Sequence, residues 1–399
     1  MEGIKYVPNH KRSGTFTKET ALFSSSEVEK VYRFHKSMGS AYNQTPLVSL
    51  GSFAALAGLQ SFHVKDESKR GNLKAFKLLG GAYAVGNSIC KKLGKDISEV
   101  DFDYLKSAEV KQQLGDLVFA AASDGNHGKS VAWAAHEFNQ KAIVYMPKGT
   151  VQDRIDAIEQ FGGTVVVSDD NYDWCVREVN RLAAEKGWEV VLDTASEGDK
   201  QVATWVMQGY ATMGYEAIMQ LGSEIPTHMF LQAGVGSMAA AMTAVFANHY
   251  GDKCPKIYIL EPHQAACYYE SGLKNDGNAC SVDGDMDSIM AGLSCGVPNP
   301  ISWEIIRNLA DGFFSCDDVL TANGMRILGN PLGGDKHVVA GESGAIGTGF
   351  VDEIMKRQPE LAAQIGLNAS SRVLVFSTEG DTDTKNYRDI VWYGKYPSA

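Results

Sequence analysis

The chain has 399 residues, more than one hydrophobic core usually holds, so two domains are expected. Hydrophobic residues make up 44% and charged residues 21%, the balance of an ordinary soluble globular protein. A net charge of −11 with no Lys/Arg run excludes a phosphate-binding stripe, and with it nucleic acid or an anionic membrane as the expected partner.

The opening residues, MEGIKYVPNHKRSGTFTKET, contain no apolar signal-type core, and no span approaches the roughly 18 apolar residues of a membrane helix. A cytoplasmic location is the expectation. Seven cysteines are scattered without a CxxC pair, which points to buried reduced thiols and to no metal site. The segment QTPLVSLGSFAALAG (residues 44–58) cannot be assigned by periodicity.

Next in the chain, LKAFKLLGG (residues 73–81) sets Lys74 and Lys77 among leucine, alanine, phenylalanine and glycine. Burial makes an ammonium costly and pushes its pKa down, so a lysine held in an apolar turn suggests chemistry. From about residue 117, strand and helix alternate. LVFAAAS, KAIVYMP, GTVVVSD and WEVVLDTA read as strands, separated by GKSVAWAAHEF, VQDRIDAIEQFG and WCVREVNRLAAEKG as amphipathic helices. A second series runs THMFLQAGVGS, MAAAMTAVFANHYG, KIYILEP and finally SRVLVFSTEGD near residue 380. Apolar runs of this kind indicate βαβ units and parallel sheets buried on both faces. The fold class is α/β, with two doubly wound parallel-sheet domains and ligands expected at strand C-terminal ends. The expected division gives a large domain of residues 1–82 and 222–399 and a small one of residues 83–221.

Two loops carry candidate binding groups. In FLQAGVGSMAAA, Gly234 and Gly236 let the backbone curl between strand and helix. The amides of Gly234, Val235, Gly236, Ser237 and Met238 then converge at a helix N-terminus, a place for phosphate. A glycine turn with nothing bound is the alternative, and Ala239 stands where a dinucleotide fingerprint has its third glycine. In AASDGNHGKS, Ser123, Asp124, Gly125, Asn126 and His127 sit between strand and helix, where amides and short polar groups suit a substrate carboxylate. Asp124 also suits a helix N-cap and His127 a structural hydrogen bond.

Together these stretches resemble a known family. VKDESKRGNLKAFKLLGGAYA is similar to the lysine region of the fold type II (tryptophan synthase β-like) pyridoxal-phosphate enzymes, in which a lysine after a phenylalanine forms the Schiff base. SDGNHG resembles their asparagine loop, AGVGS their phosphate loop, and FSTEGDTD the strand end whose serine faces the pyridine nitrogen. TPLVSL, SIMAGL and ESGAIG match in order, and the likeness covers roughly residues 40–385. Within that superfamily the closest resemblance is to the diaminopropionate ammonia-lyases. Threonine and serine dehydratases usually have a serine two before the lysine and a small residue at the position of Asp124; here Ala75 and Asp124 stand instead.

The resemblance implies pyridoxal 5'-phosphate held by Lys77, with Lys74 the rival, in an active site between two domains of a homodimer. It implies Asn126 at the ring oxygen, residues 234–238 on the phosphate, and Ser377 at the pyridine nitrogen with Thr378 as substitute. Substrate contacts would come from Ser123, Asp124, Gly125, His127 and Asp193, and catalysis from Lys77, Asp124 and Asp193. Asp193, at the end of VVLD, has a turn-capping alternative. The implied reaction is elimination from D- or L-2,3-diaminopropionate to pyruvate and ammonia. A threonine/serine dehydratase is the alternative on this fold. An NAD-dependent oxidoreductase or a non-catalytic small-molecule sensor is remoter, because neither employs Lys77 together with SDGNHG.

Overall fold

The computed structural model describes residues 3–123, 125–195 and 200–397. The strands are β1 (Ile4–Pro8), β2 (Leu47–Ser49), β3 (Ser61–Asp66), β4 (Val118–Ala122), β5 (Lys141–Met146) and β6 (Thr164–Val167). They continue with β7 (Glu189–Val190), β8 (His228–Gln232), β9 (Lys256–Pro262), β10 (Gly312–Cys316) and β11 (Arg372–Ser377). They form two sheets in two compact units. The larger unit comprises Met1–Ser24, Thr45–Lys69 and Met213–Ala399, and the smaller Ser25–Gln44 and Arg70–Thr212. The divisions therefore fall at residues 69/70 and 212/213 rather than at 82/83 and 221/222, and an N-terminal piece, Ser25–Gln44, joins the smaller unit.

The larger sheet has the order β1-β10-β9-β8-β11-β3-β2. From β10 to β3 neighbouring strands are parallel, as the apolar runs imply. Both edges depart from the all-parallel expectation: β1 lies antiparallel to β10, and β2 antiparallel to β3. For β2 the physical reason is connection length. β2 and β3 are joined by the short helix Gly51–Ala57, too little chain for a parallel crossover. Every residue of β8 and of β10 is buried, so their sequences HMFLQ and GFFSC carry no alternation. Phe230 of β8 packs against Phe350 with ring centroids 5.0 Å apart, and Phe350 meets Phe314 of β10 edge-on at 4.6 Å.

The smaller sheet is parallel throughout, in the order β6-β5-β4-β7. Ala120, Ala122, Tyr145, Cys175, Val179 and Leu182 form one cluster, in which the helix Tyr172–Lys186 covers β4 and β5. Strand order decides where each sheet can hold a ligand. Where the winding direction reverses, the loops leaving two neighbouring strands diverge and open a crevice at their C-terminal ends. In the larger sheet the reversal lies between β8 and β11, so the loop after Gln232 and the end at Ser377 are neighbours. In the smaller it lies between β4 and β7, which sets the Ser123 loop beside the segment running to Asp193.

Phe350 joins β8 and β10 through ring contacts and is fully buried. Phe350→Ala should therefore lower stability by about 3–5 kcal/mol through lost transfer energy and a residual cavity. A urea unfolding midpoint unchanged from the parent would contradict this packing.

Candidate active site

In the smaller unit, Lys77 opens the helix Lys77–Leu93, with Phe76 as its N-cap. The glycine pair that follows has a packing cause. A Cβ on Gly81 would stand 2.9 Å from the Ser130 backbone, and one on Gly80 would stand 2.9 Å from Val206 O. The helix is thus wedged between Asn126–Glu137 and the first part of Gln201–Leu221, and its start is held firmly. Lys77 Nζ donates to Asp193 Oδ2 at 2.8 Å, and the two side chains are only 14% and 11% exposed. The apolar turn expected around Lys77 is therefore corrected in one respect, since a carboxylate faces its amine. Burial would raise the Asp193 pKa, but the charges of Lys77 and His127 and the Lys77 hydrogen bond outweigh it, holding the carboxyl at about 2. Lys74, by contrast, is exposed, with a left-handed backbone at φ 56°.

The loop after β4 is built around Ser123. Its Oγ accepts from Gly125 N at 2.9 Å and Gly128 N at 2.8 Å, which folds the chain into the helix that begins at Asn126. Gly125 takes φ +153°, and Asn126 is half-buried in the first turn. His127 is buried, with Nε2 2.8 Å from Val191 O, and so ties this helix to the segment that ends in Asp193. Asp124 lies outside the described residues.

In the larger unit, the loop after β8 turns its carbonyls inward. Val235 O accepts from Asn299 N at 2.8 Å and from Tyr268 Oη at 2.9 Å. Asn299 Nδ2 also donates to Ser237 Oγ at 2.9 Å. Gly236 adopts φ +87°, and a Cβ there would lie 2.0 Å from Tyr268 Oη, so no other residue fits without displacing that ring. The buried helix Ser237–Tyr250 starts here with Ser237 and Met238, and its first amides have no acceptor within the helix. Gln232 Nε2 bridges to the neighbouring strand, donating to Phe376 O at 2.8 Å and to Thr378 Oγ1 at 3.1 Å. Thr378 is thus engaged. Ser377 is fully buried, and its Oγ has no hydrogen-bond partner among the described residues.

An orphaned buried hydroxyl costs about 1–3 kcal/mol unless a bound group satisfies it. Ser377 Oγ beside a glycine cradle at a helix N-terminus fits a phosphorylated ring carrying an acceptor nitrogen. Residues 39–378 match the model of the pyridoxal-phosphate dependent enzymes. The chain belongs to that family. Pyridoxal phosphate is accordingly its cofactor, and the buried Ser377 and the residue 234–238 loop are suited to it. The chain is 46% identical over 390 residues to the diaminopropionate ammonia-lyase of Escherichia coli (strain K12), covering 96% of each. It is 25% identical over 202 residues to an L-threonine dehydratase of Staphylococcus aureus, covering 49% of this chain. Among solved structures, the E. coli diaminopropionate ammonia lyase in complex with D-serine matches with a TM-score of 0.92 and 44% identity, over 99% of this chain and 98% of that one. The same enzyme with an aminoacrylate-PLP azomethine intermediate matches with a TM-score of 0.90 and 43% identity, over 98% of each chain.

Sequence reasoning missed Gln232, Tyr268 and Asn299, which hold the cradle in place. Only Gln232 had a local signal, a polar residue closing an otherwise apolar strand. Replacing Gly236 with valine should weaken pyridoxal phosphate retention about tenfold or more, because the branched side chain collides with Tyr268. Cofactor absorbance after dialysis reads this out, and undiminished retention would move the phosphate site elsewhere.

Proposed function

We propose that this chain is a carbon-nitrogen lyase that eliminates both amino groups of 2,3-diaminopropionate, with water, to give pyruvate and two ammonia molecules. The observation that carries the substrate choice is the Asp193 carboxylate, withdrawn from water and paired with an ammonium at 2.8 Å. A hydroxyl at Cβ, as in serine or threonine, needs no such group. An ammonium at Cβ can be bound and selected by one. The 46% identity to a diaminopropionate ammonia-lyase over nearly the whole chain supports the same reading.

When bound, pyridoxal phosphate supplies an electron sink for the charge that develops at Cα. Lys77 would hold it covalently through Nζ. The Lys77 amine would take the Cα proton of the L isomer. Asp124 would take that proton from the opposite face for the D isomer. Asp193 would hold the Cβ-ammonium that both isomers lose. Ser123, Gly125 and His127 would build the carboxylate-binding turn, with Asn126 at the ring oxygen. Residues 234–238 would offer amides to the phosphate, and Ser377, whose hydroxyl has no partner among the described residues, would face the ring nitrogen in preference to Thr378. A neutral hydroxyl there would leave that nitrogen largely unprotonated, which would favour elimination. A homodimer in the cytoplasm is the assembly and location we propose. Its seven cysteines are free thiols, and no helix among the described residues is long and apolar enough to cross a membrane.

Ammonia and pyruvate release measured across D- and L-diaminopropionate, serine and threonine tests the assignment. Either diaminopropionate isomer should win, and a wide margin for serine or threonine would replace the reading with a dehydratase. Asp124→Asn should cost about 10² to 10⁴ in rate on the D isomer and much less on the L isomer. Equal losses on both would reduce Asp124 to a substrate anchor. Asp193→Asn should slow both isomers in kcat as well as in KM, since the contact it loses strengthens as the amine departs. An undiminished variant would return Asp193 to a turn-capping role.

A further inference from the structure

The smaller unit holds a second polar group against Lys77 that no role above employs. Tyr210, on the helix Gln201–Leu221, is 1% exposed, and its hydroxyl has no hydrogen-bond partner among the described residues. Its ring stacks obliquely on Phe76, the residue before Lys77, with centroids 4.6 Å apart. The hydroxyl-bearing end of the same ring lies over Gly80, three residues after Lys77. A Cβ built there would stand 2.4 Å from Tyr210 Cε1 and 3.0 Å from Cζ. Residues three apart share a helix face, and Cβ directions lean toward the N-terminus. Tyr210 is therefore clamped on the face from which Lys77 projects, between the residue before it and the turn after it.

The electrostatics agree with that placement. Burial pushes the Tyr210 hydroxyl above its ordinary range, while the Lys77 charge pulls it down and the Asp193 charge pushes it up. Both charges lie within reach of this oxygen. Helix–helix packing alone would be served by phenylalanine, without the roughly 1–3 kcal/mol that a buried unpartnered hydroxyl costs. The group needs a partner that arrives during turnover. Lys77 Nζ is the near candidate, since Asp193 holds it here and must release it to serve a substrate ammonium.

Resting on the reading given under Proposed function, we infer that Tyr210 is a positioning residue for Lys77, whose hydroxyl accepts a hydrogen bond from the Lys77 amino group once that group has left Asp193 and taken up the Cα proton. No bond is made or broken at Tyr210. The proton passes from Cα to Nζ, and the Tyr210 oxygen steadies the resulting ammonium. Removing this acceptor makes Lys77 a weaker base. Its titration, and with it the acid limb of the pH–rate profile, moves to lower pH, while the plateau rate falls because proton transfer loses driving force.

Tyr210→Phe tests this, because the ring and its packing on Phe76 and Gly80 stay. On L-diaminopropionate, or whichever amino acid the parent holoenzyme turns over, kcat should fall about tenfold with KM nearly unchanged. The acid limb of kcat should move down by about one pH unit. The cofactor-free variant should melt at the parent temperature or slightly above it, since an unsatisfied hydroxyl has been removed. An unchanged kcat and acid limb would overturn the inference. So would a large fall in melting temperature, which would show the hydroxyl to be a structural bond. A parent inactive on diaminopropionate but active on serine would defeat the substrate assignment and leave the Tyr210 inference to be judged on serine.

Discussion

A carboxylate withdrawn from water must have a cation, and Asp193 obtains one from Lys77. That pair sets the character of the smaller unit's functional edge. It places an ionised acid, held at about 2, where an amine is already accommodated. It also keeps the Lys77 amine at Asp193 and largely out of solvent. His127 reinforces the arrangement through its bond to Val191 O, which ties its helix to the segment ending in Asp193.

Strand order supplies the frame on which such pairs can form. Each sheet reverses its winding once, and each reversal coincides with candidate groups. The Ser123 loop and Asp193 meet beside β4 and β7, while the Gly236 cradle and Ser377 meet beside β8 and β11. In the larger unit the supporting bonds come from far along the chain. Tyr268 and Asn299 pin Val235, and Gln232 joins β8 to the β11 end. These bonds fix the turn at the helix N-terminus beside the buried Ser377 hydroxyl, an arrangement suited to pyridoxal phosphate.

Much of this was legible from residues alone, and the reason is locality. β4, β8 and β11 are buried along nearly their whole length, so their apolar runs announce them, and each candidate loop follows such a run. Lys77 stood out because a cation among Leu, Ala, Phe and Gly is anomalous. The antiparallel β1 and β2 were not legible, because each is short and at a sheet edge, where alternation and packing leave a weak trace. Nor was the membership of Ser25–Gln44 in the smaller unit, which depends on contacts far apart in sequence. The carboxylate opposite Lys77 lies 116 residues away and escaped any reading of the apolar turn. Tyr210 left no local signal either, since one tyrosine in a long apolar helix reads as packing.

If Asp193 selects an ammonium at Cβ, removing its charge should alter preference as well as speed. The decisive measurement is the ratio of kcat/KM for diaminopropionate over serine, in the parent and in Asp193→Asn. The charge-selection view predicts that the ratio collapses by about 100-fold or more, as expected when a buried charge-assisted contact worth roughly 3 kcal/mol is lost for one substrate alone. A ratio unchanged by the substitution, with both substrates slowed alike, would contradict it.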